Sequence, residues 1–160
     1  MGLCVMKAVF FKEEKMAIKT VKVESVLDAK FKVECISHGR TVIVDQPANA
    51  GGTDEGPTPL EYLVVSLAGC IGTIARIVAM QKRIALRGMK ITVEGDINVD
   101  GLLGKPTDDP VGFKEFRILA DIDADLTAEE KEAFIHEVDA RCPVSFNLLN
   151  NTPVKISAFQ

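Results

Sequence analysis

Two cysteines, Cys70 and Cys142, stand in local settings that suit thiol redox chemistry. Cys70 lies in a nearly uncharged run that begins at Pro59, within the sequence Ala-Gly-Cys-Ile-Gly. Cys142 lies between a charged segment and Pro143, at the predicted start of a short helix. A helix N-terminus and a neighbouring cation such as Arg141 both lower the pKa of a thiol. The sequence therefore predicts a lowered pKa for Cys142 and makes the two cysteines candidates for a reactive pair.

Each cysteine also has a plainer interpretation. Free cysteine is among the most buried residue types and packs as a small hydrophobe. Glycines within a helix reduce its stability, and Gly69 and Gly72 beside Cys70 are typical of a close approach by backbone or ligand. Cys142 follows Val138 by four residues and so continues an apolar stripe, which fits core packing as well as a site. The residues alone leave both interpretations open.

The two cysteine segments resemble those of the OsmC/Ohr family, the osmotically inducible protein C and organic hydroperoxide resistance proteins. In that family a proline opens the central helix, the first active cysteine follows eleven residues later, and the second opens a Cys-Pro turn near the C-terminus. The spacing from Pro59 to Cys70 and the pair Cys142-Pro143 are similar on both counts. The resemblance spans about residues 20–159, and it implies an intertwined homodimer with its active sites at the subunit interface.

The same resemblance implies a role for each thiol. Cys70 would be the peroxidatic thiolate, which attacks the O–O bond of a hydroperoxide and becomes a sulfenic acid. Cys142 would be the resolving cysteine, which condenses with that sulfenic acid to a disulfide. The implied activity is reduction of small organic hydroperoxides, with no bound cofactor and with an external dithiol as reductant. The alternative is a dimer of the same fold that binds a small apolar ligand without peroxidase turnover.

Charged residues near the two segments are candidates for supporting the thiols. The organic hydroperoxide resistance proteins place a glutamate directly after the helix-opening proline and an arginine in the first strand turn. Here Leu60 follows the proline, and Glu61 comes one residue later, where a capping-box glutamate is expected. The first turn offers Lys30, whereas Arg40 lies in the next turn, and lysine does not reproduce a guanidinium fork. This departure from the family pattern favours the ligand-binding alternative.

Hydrophobic periodicity and helix caps predict the elements that position these residues. Three alternating segments predict strands over residues 20–26, 30–36 and 41–45, and further strands are expected over residues 90–99, 113–123 and 153–159. Thr58 is the predicted N-cap of a long helix that runs to about residue 85, before Gly88, and Thr127 is that of a second helix over residues 128–141. A short helix is expected over residues 143–149. Strands and helices do not alternate strictly, so the class is α+β, with antiparallel sheets packed around a long central helix.

The predicted central helix is apolar nearly all round. A helix that is hydrophobic on every face must be covered on every face, so we expect a homodimer that buries two such helices together. Arg76 and the glycines within the run argue against a membrane span.

Length and composition exclude several function classes. The 160 residues predict a single domain over residues 1–160, in which residues 1–15 form a loosely ordered extension and Met16 is an alternative start. A net charge of −4 argues against nucleic acid and anionic membranes as partners. The N-terminus lacks a signal-peptide pattern, which predicts a cytoplasmic protein. Four cysteines and two histidines are too scattered for a metal site, and Cys35 is interpreted as packing.

Overall fold

The computed structural model describes residues 18–158, so the predicted extension over residues 1–15, including Cys4, lies outside the described part of the chain. The elements are β1 (Glu24–Leu27), β2 (Val33–Ser37), β3 (Arg40–Val44), α1 (Pro59–Lys82), β4 (Gly88–Ile97), β5 (Phe113–Asp123), α2 (Ala128–Ala140) and α3 (Pro143–Leu149). Strands β1-β2-β3 form one antiparallel sheet, and β4-β5 form another. The predicted α+β class with a long central helix is confirmed.

The central helix α1 begins where its cap predicts. The Glu61 backbone N–H donates to Thr58 Oγ1 at 3.3 Å, and the Thr58 N–H donates to Glu61 Oε2 at 2.7 Å, which completes a capping box. The predicted end near residue 85 is wrong. Arg83 adopts a left-handed conformation (φ 58°) and its N–H closes on Met80 and Ala79 carbonyls, so the helix stops at Lys82 without using Gly88.

One face of α1 forms the centre of the core. Leu67, Ile71 and Val78 are almost fully buried there, against β4, α2 and α3. The opposite face is apolar but uncovered within the chain, since Val65 and Met80 are 57% and 72% exposed. By length and composition α1 would suffice to cross a membrane, but one of its faces forms the centre of the core of the α+β fold.

The N-terminal sheet, β1-β2-β3, stands apart from this core. Among the described residues, none of the buried hydrophobic side chains comes from its strands. Val26 and Ile36 are 69% and 49% exposed. Its tie to the helix is polar, because the Tyr62 hydroxyl donates to the Ile43 carbonyl at 2.8 Å. The first strand also starts later than predicted, at Glu24, since residues 18–23 have no neighbouring strand to pair with.

A buried carboxylate closes the loop between β3 and α1. Asp45 is 1% exposed, and it accepts bonds from the N–H groups of Gln46, Thr53 and Glu55 and from the Thr53 hydroxyl. These bonds, the Thr53 hydroxyl first, lower its pKa to about 2. The loop is therefore a defined connection that delivers the chain to Thr58.

The hairpin β4-β5 covers the buried face of α1. On β5 the more buried residues alternate with exposed ones from Ile118 to Asp123, and Ile122 is the most buried of them. The bounds of β5 match the prediction, whereas β4 begins two residues early, at Gly88. In the described residues β5 pairs with β4 alone, so its other edge carries no strand.

The predicted strand over residues 153–159 is wrong for residues 153–158, which form no strand. They form neither helix nor strand after α3, and Val154 and Ile156 are 80% and 93% exposed. The alternation is real, but a strand also requires a hydrogen-bonding edge, and nothing in residues 18–158 provides one beside this segment.

Candidate functional site

Cys70 lies in the middle of α1, at the border between its buried and uncovered faces. Leu67 and Ile71 beside it are buried, whereas Cys70 itself is only half-buried. The glycines around it differ in purpose. A Cβ on Gly72 would lie 3.3 Å from Ile91 Cδ1, so this glycine serves the close packing of α1 on β4. A Cβ on Gly69 would meet nothing within 4 Å, which leaves the surface beside Cys70 open.

Cys142 is the N-cap of α3. Its backbone is extended (φ −82°, ψ 111°), Pro143 occupies the first helical position, and the Ser145 N–H donates to Cys142 Sγ at 3.4 Å. The Cys142 N–H donates to the Asp139 carbonyl at 2.9 Å, which ties the cap to the end of α2. Cys142 is 1% exposed. The predicted helix start is therefore confirmed, with a thiol as the capping group.

The fold brings these two cysteines into contact. The Cys142 thiol donates to Cys70 Sγ, and the two sulfur atoms lie 2.8 Å apart. Both are free thiols, since a disulfide requires about 2.05 Å. The corner between α2 and α3 packs on α1 at this point. Only a small movement of the side chains separates the dithiol from a disulfide.

The environment of Cys142 corrects the prediction of a lowered pKa. Burial raises the pKa of the Cys142 thiol, and the contact with Cys70 raises it further, while the Ser145 N–H opposes both. The Arg141 guanidinium is held elsewhere, by Gln81 Oε1 at 2.9 Å and by Glu137. The prediction was wrong because the sequence shows the helix start and the arginine but not the depth of burial.

The three supporting candidates lie away from the dithiol within this chain. The Glu61 carboxylate accepts from Thr58, which lowers its pKa, and it lies nine residues, or about 13 Å along the helix, before Cys70. Lys30 lies in the turn before β2, and Arg40 begins β3 with its side chain exposed. In residues 18–158, no hydrogen bond or ion pair joins these three to either cysteine. Their supporting roles remain predictions.

A groove that sequence analysis missed adjoins the dithiol. It has a volume of about 870 Å³, and Leu67, Ile71 and Ser145 line it. It continues between β5 and α2, and we call it the β5 groove. Ser145 was recognisable in advance, since it holds the third helical position after a Cys-Pro cap. The groove was not, because it depends on how α2 packs beside β5.

No residue set suited to a metal ion is found in the described chain, where no group of three or more histidine, cysteine, aspartate or glutamate side chains converges. The arrangement is therefore a dithiol beside a groove of mixed lining, where apolar side chains such as Leu67 and Ile71 lie near charged ones such as Lys131 and Glu132. A dithiol of this geometry supports two-electron thiol–disulfide chemistry.

Comparison with known proteins places the fold. The family model described as OsmC-like protein matches residues 52–157. An OsmC-like protein from Mycoplasma pneumoniae is 26% identical, with a TM-score of 0.71, over 82% of this chain and 88% of that one. Organic hydroperoxide resistance proteins from Legionella pneumophila (22% identical, TM-score 0.63, 82% and 90% covered) and Elizabethkingia anophelis (18%, 0.66, 86% and 93%) share the fold. No curated protein shows significant similarity to the sequence.

Proposed function

The chain belongs to the OsmC-like protein family, and from that premise we propose that it is a thiol-dependent peroxidase that reduces small organic hydroperoxides through Cys70 and Cys142. The observation that carries the proposal is the 2.8 Å separation of the two sulfur atoms. Two structural neighbours described as organic hydroperoxide resistance proteins share the fold and support the choice of substrate class.

Exposure and protonation support different roles for the two thiols. Cys70 is half-buried beside the open surface at Gly69, so a peroxide can reach it. Cys142 is fully buried with a raised pKa, so its neutral thiol is a poor first nucleophile. Cys70 is therefore the proposed peroxidatic residue and Cys142 the resolving one.

The reaction then balances over two steps. The Cys70 thiolate gives an electron pair to the terminal peroxide oxygen, the O–O bond breaks, and the alkoxide leaves as an alcohol after taking a proton. Cys70 is left as a sulfenic acid. The Cys142 sulfur, losing its proton, attacks the Cys70 sulfur, a disulfide forms, and hydroxide leaves as water. An external dithiol then reduces the disulfide by two exchange steps and is itself oxidised to a disulfide.

Apolar surroundings favour an alkyl hydroperoxide over hydrogen peroxide. Leu67, Ile71 and Ile74 surround Cys70 on α1, and the partly exposed Ile77 lies two turns further along the same side. Each methylene of a substrate buried there contributes about 0.8 kcal/mol.

Assembly and location complete the proposal. The uncovered apolar face of α1 and the isolated N-terminal sheet support a homodimer, since soluble monomers rarely expose such large apolar surfaces. A pair of free thiols fits a reducing cytoplasm.

The second candidate function is binding of a small apolar ligand without turnover. The observation that favours it is the absence, within residues 18–158, of a cation bonded to either cysteine, because a neighbouring cation is one of the groups that lower the pKa of a reactive thiol. In that case the thiols only line an apolar site.

Peroxide consumption by the reduced protein separates the two. With dithiothreitol as reductant, we expect the wild type to consume cumene hydroperoxide faster than hydrogen peroxide. Cys70→Ser should abolish consumption, whereas Cys142→Ser, treated with peroxide after the reductant has been removed, should form one sulfenic acid per chain and then stop. Cys35→Ser, on the N-terminal sheet, is the matched control and should retain full activity. Equal activity in Cys70→Ser and wild type, or no consumption by wild type, would exclude the peroxidase.

A further inference from the structure

The surroundings of the two cysteines fix the direction of the hydrogen bond between them. Cys142 is 1% exposed, and burial raises the pKa of its thiol, so this sulfur keeps its proton at neutral pH. Cys70 is half-buried beside the open surface at Gly69, where water can reach it. Cys142 is therefore the donor and Cys70 the acceptor across the 2.8 Å that separates the two sulfur atoms.

A backbone donor orients the Cys142 thiol. The Ser145 N–H donates to Cys142 Sγ at 3.4 Å. Because this bond occupies the acceptor side of the sulfur, the S–H is directed at Cys70. The bonds then form one chain, from the Ser145 N–H through the Cys142 S–H to Cys70 Sγ. Hydrogen bonds in such a chain polarise one another, so the N–H makes the thiol a better donor.

The junction between α2 and α3 holds this donor in place. The Cys142 N–H donates to the Asp139 carbonyl, and the Phe146 N–H donates to the Cys142 carbonyl, both at 2.9 Å. Pro143 occupies the first position of α3 and fixes the backbone between them. The acceptor, Cys70, lies in the middle of α1. Donor and acceptor are therefore aligned before any substrate arrives.

The charged groups on the neighbouring helices are engaged elsewhere or do not bond to the sulfur atoms. Arg76 on α1 donates to a backbone carbonyl after the helix, and Arg141 is held by side chains of α1 and α2. Asp139 on α2 lines the β5 groove. Within residues 18–158, no hydrogen bond or ion pair joins these three to either sulfur. The polar donor that Cys70 Sγ meets in this part of the chain is the thiol of Cys142.

A donor in this position acts differently on the two forms of Cys70. A thiol is a weak hydrogen-bond donor, but a hydrogen bond to an ionised acceptor is about twice as strong as one to a neutral acceptor. A hydrogen bond to the charged form of a group favours that form. The Cys142 S–H therefore stabilises a thiolate at Cys70 more than it stabilises a thiol, and the thiolate is the nucleophile.

We propose that the Cys142 thiol, oriented by the Ser145 N–H, activates Cys70 by donating a hydrogen bond to the thiolate that attacks the peroxide. Cys142 then has a role in each step, first as the donor and afterwards as the resolving sulfur. Its proton stays on the sulfur during the first step and leaves only when the disulfide forms. The use of this activation rests on the proposed peroxidase, but the stabilisation of the Cys70 thiolate requires no peroxide.

Alkylation of Cys70 tests the activation. The reduced protein is treated with iodoacetamide between about pH 6 and about pH 10, a range that brackets the ionisation of free cysteine, and the Cys70 peptide is followed by mass spectrometry. Cys142→Ala removes the donor and should label about tenfold more slowly than the wild type at about pH 7. The two rates should converge near pH 10, where Cys70 ionises without help. Cys142→Ser keeps a donor and should restore most of the rate.

A second variant separates the donor from the helix cap. Glycine is nearly as good an N-cap as serine but offers no side-chain donor, so Cys142→Gly should label as slowly as Cys142→Ala. The Cys35 peptide in the same samples is the internal reference. Because Cys35 lies on the N-terminal sheet, it should label at the same rate in every variant.

Labelling of Cys142→Ala at the wild-type rate near pH 7 would overturn the activation. A difference that persists near pH 10 would overturn it as well, because it would reflect access to Cys70 rather than ionisation. Wild-type labelling of Cys142→Gly would assign the effect to the cap and not to the donor. The expected labelling order without peroxide consumption by the wild type would exclude the peroxidase alone, whereas peroxide consumption without that order would exclude the activation alone.

Discussion

The Cys142 thiol donates a hydrogen bond to Cys70 Sγ, and the two sulfur atoms lie 2.8 Å apart although the residues are 72 positions apart in the chain. The contact joins the middle of the longest helix to the N-cap of the shortest. Whether the two sulfur atoms form a disulfide therefore depends on how α3 packs on α1.

Oxidation should link these two cysteines and no others. We expect one equivalent of cumene hydroperoxide to give a single Cys70–Cys142 peptide pair by mass spectrometry without reduction, while Cys35 stays a free thiol. Closing a loop of 72 residues should raise the free energy of unfolding by about 4 kcal/mol. A sulfenic or sulfinic acid on Cys70 with no disulfide would contradict the contact.

The reactivity of Cys142 should depend on pH in a defined direction. Burial, and after it the contact with Cys70, raises the pKa of Cys142. The folded chain therefore keeps this thiol neutral at pH values where a free cysteine is already ionised. The neutral Cys142 thiol contributes to the free energy of unfolding. That contribution is complete below about pH 8.5, the pKa in the unfolded chain, and is lost as the pH rises through the folded pKa. The pH–rate profile of iodoacetamide labelling, followed on the Cys142 peptide, should be displaced upward. Cys70→Ser removes the contribution of Cys70 to the raised pKa, so the midpoint of the profile should return partly toward lower pH. A midpoint at lower pH than that of an unfolded control would refute the raised pKa.

The pKa of Asp45 predicts acid sensitivity of the loop before α1. Its folded pKa of about 2 lies below the unfolded value of about 3.9. The carboxylate therefore stabilises the fold above pH 4, and the contribution is lost as the pH falls toward 2. Asp45→Asn removes acceptor capacity and should lower the urea midpoint at neutral pH. Asp54→Asn is the matched control, since Asp54 is exposed with φ 60°, which asparagine also tolerates. An equal loss of stability in both variants would argue against a stabilising role for the hydrogen bonds to Asp45.

The capping box distinguishes a structural Glu61 from a catalytic one. Thr58→Ala should lower the free energy of unfolding by about 1 kcal/mol, because α1 loses its cap. Glu61→Gln keeps an acceptor for the Thr58 N–H and should cost less. Urea denaturation measures both. If Glu61→Gln instead leaves stability intact and abolishes peroxide consumption, the carboxylate acts at the dithiol rather than at the cap.

Local features of this fold were accessible from the sequence, and features that depend on distant packing were not. Thr58, Thr127 and Cys142 were identified as N-caps because a cap is set by residues three positions apart. The predicted bounds of β5 also match those of the structure.

The errors share one cause, which is dependence on surroundings that lie far away in the chain. The raised pKa of Cys142 comes from burial by other elements, so a helix start and Arg141 misled the prediction. The tail around Ile156 has the pattern of a strand but pairs with no strand of the described residues. The contact between the two sulfurs itself was implied by family resemblance rather than by spacing.

The isolation of the N-terminal sheet sets the order in which the molecule is completed during synthesis. Its strands leave the ribosome first, yet none of their side chains enters the buried core of the described residues. At about 5–20 residues per second, the 91 residues from Pro59 to Leu149 take roughly 5–18 s more to appear. During that interval the three strands, with Val26 and Ile36 exposed, have no later element to pack on. We therefore expect the apolar strands of this sheet to be open to non-specific association on the ribosome for longer than any other described element.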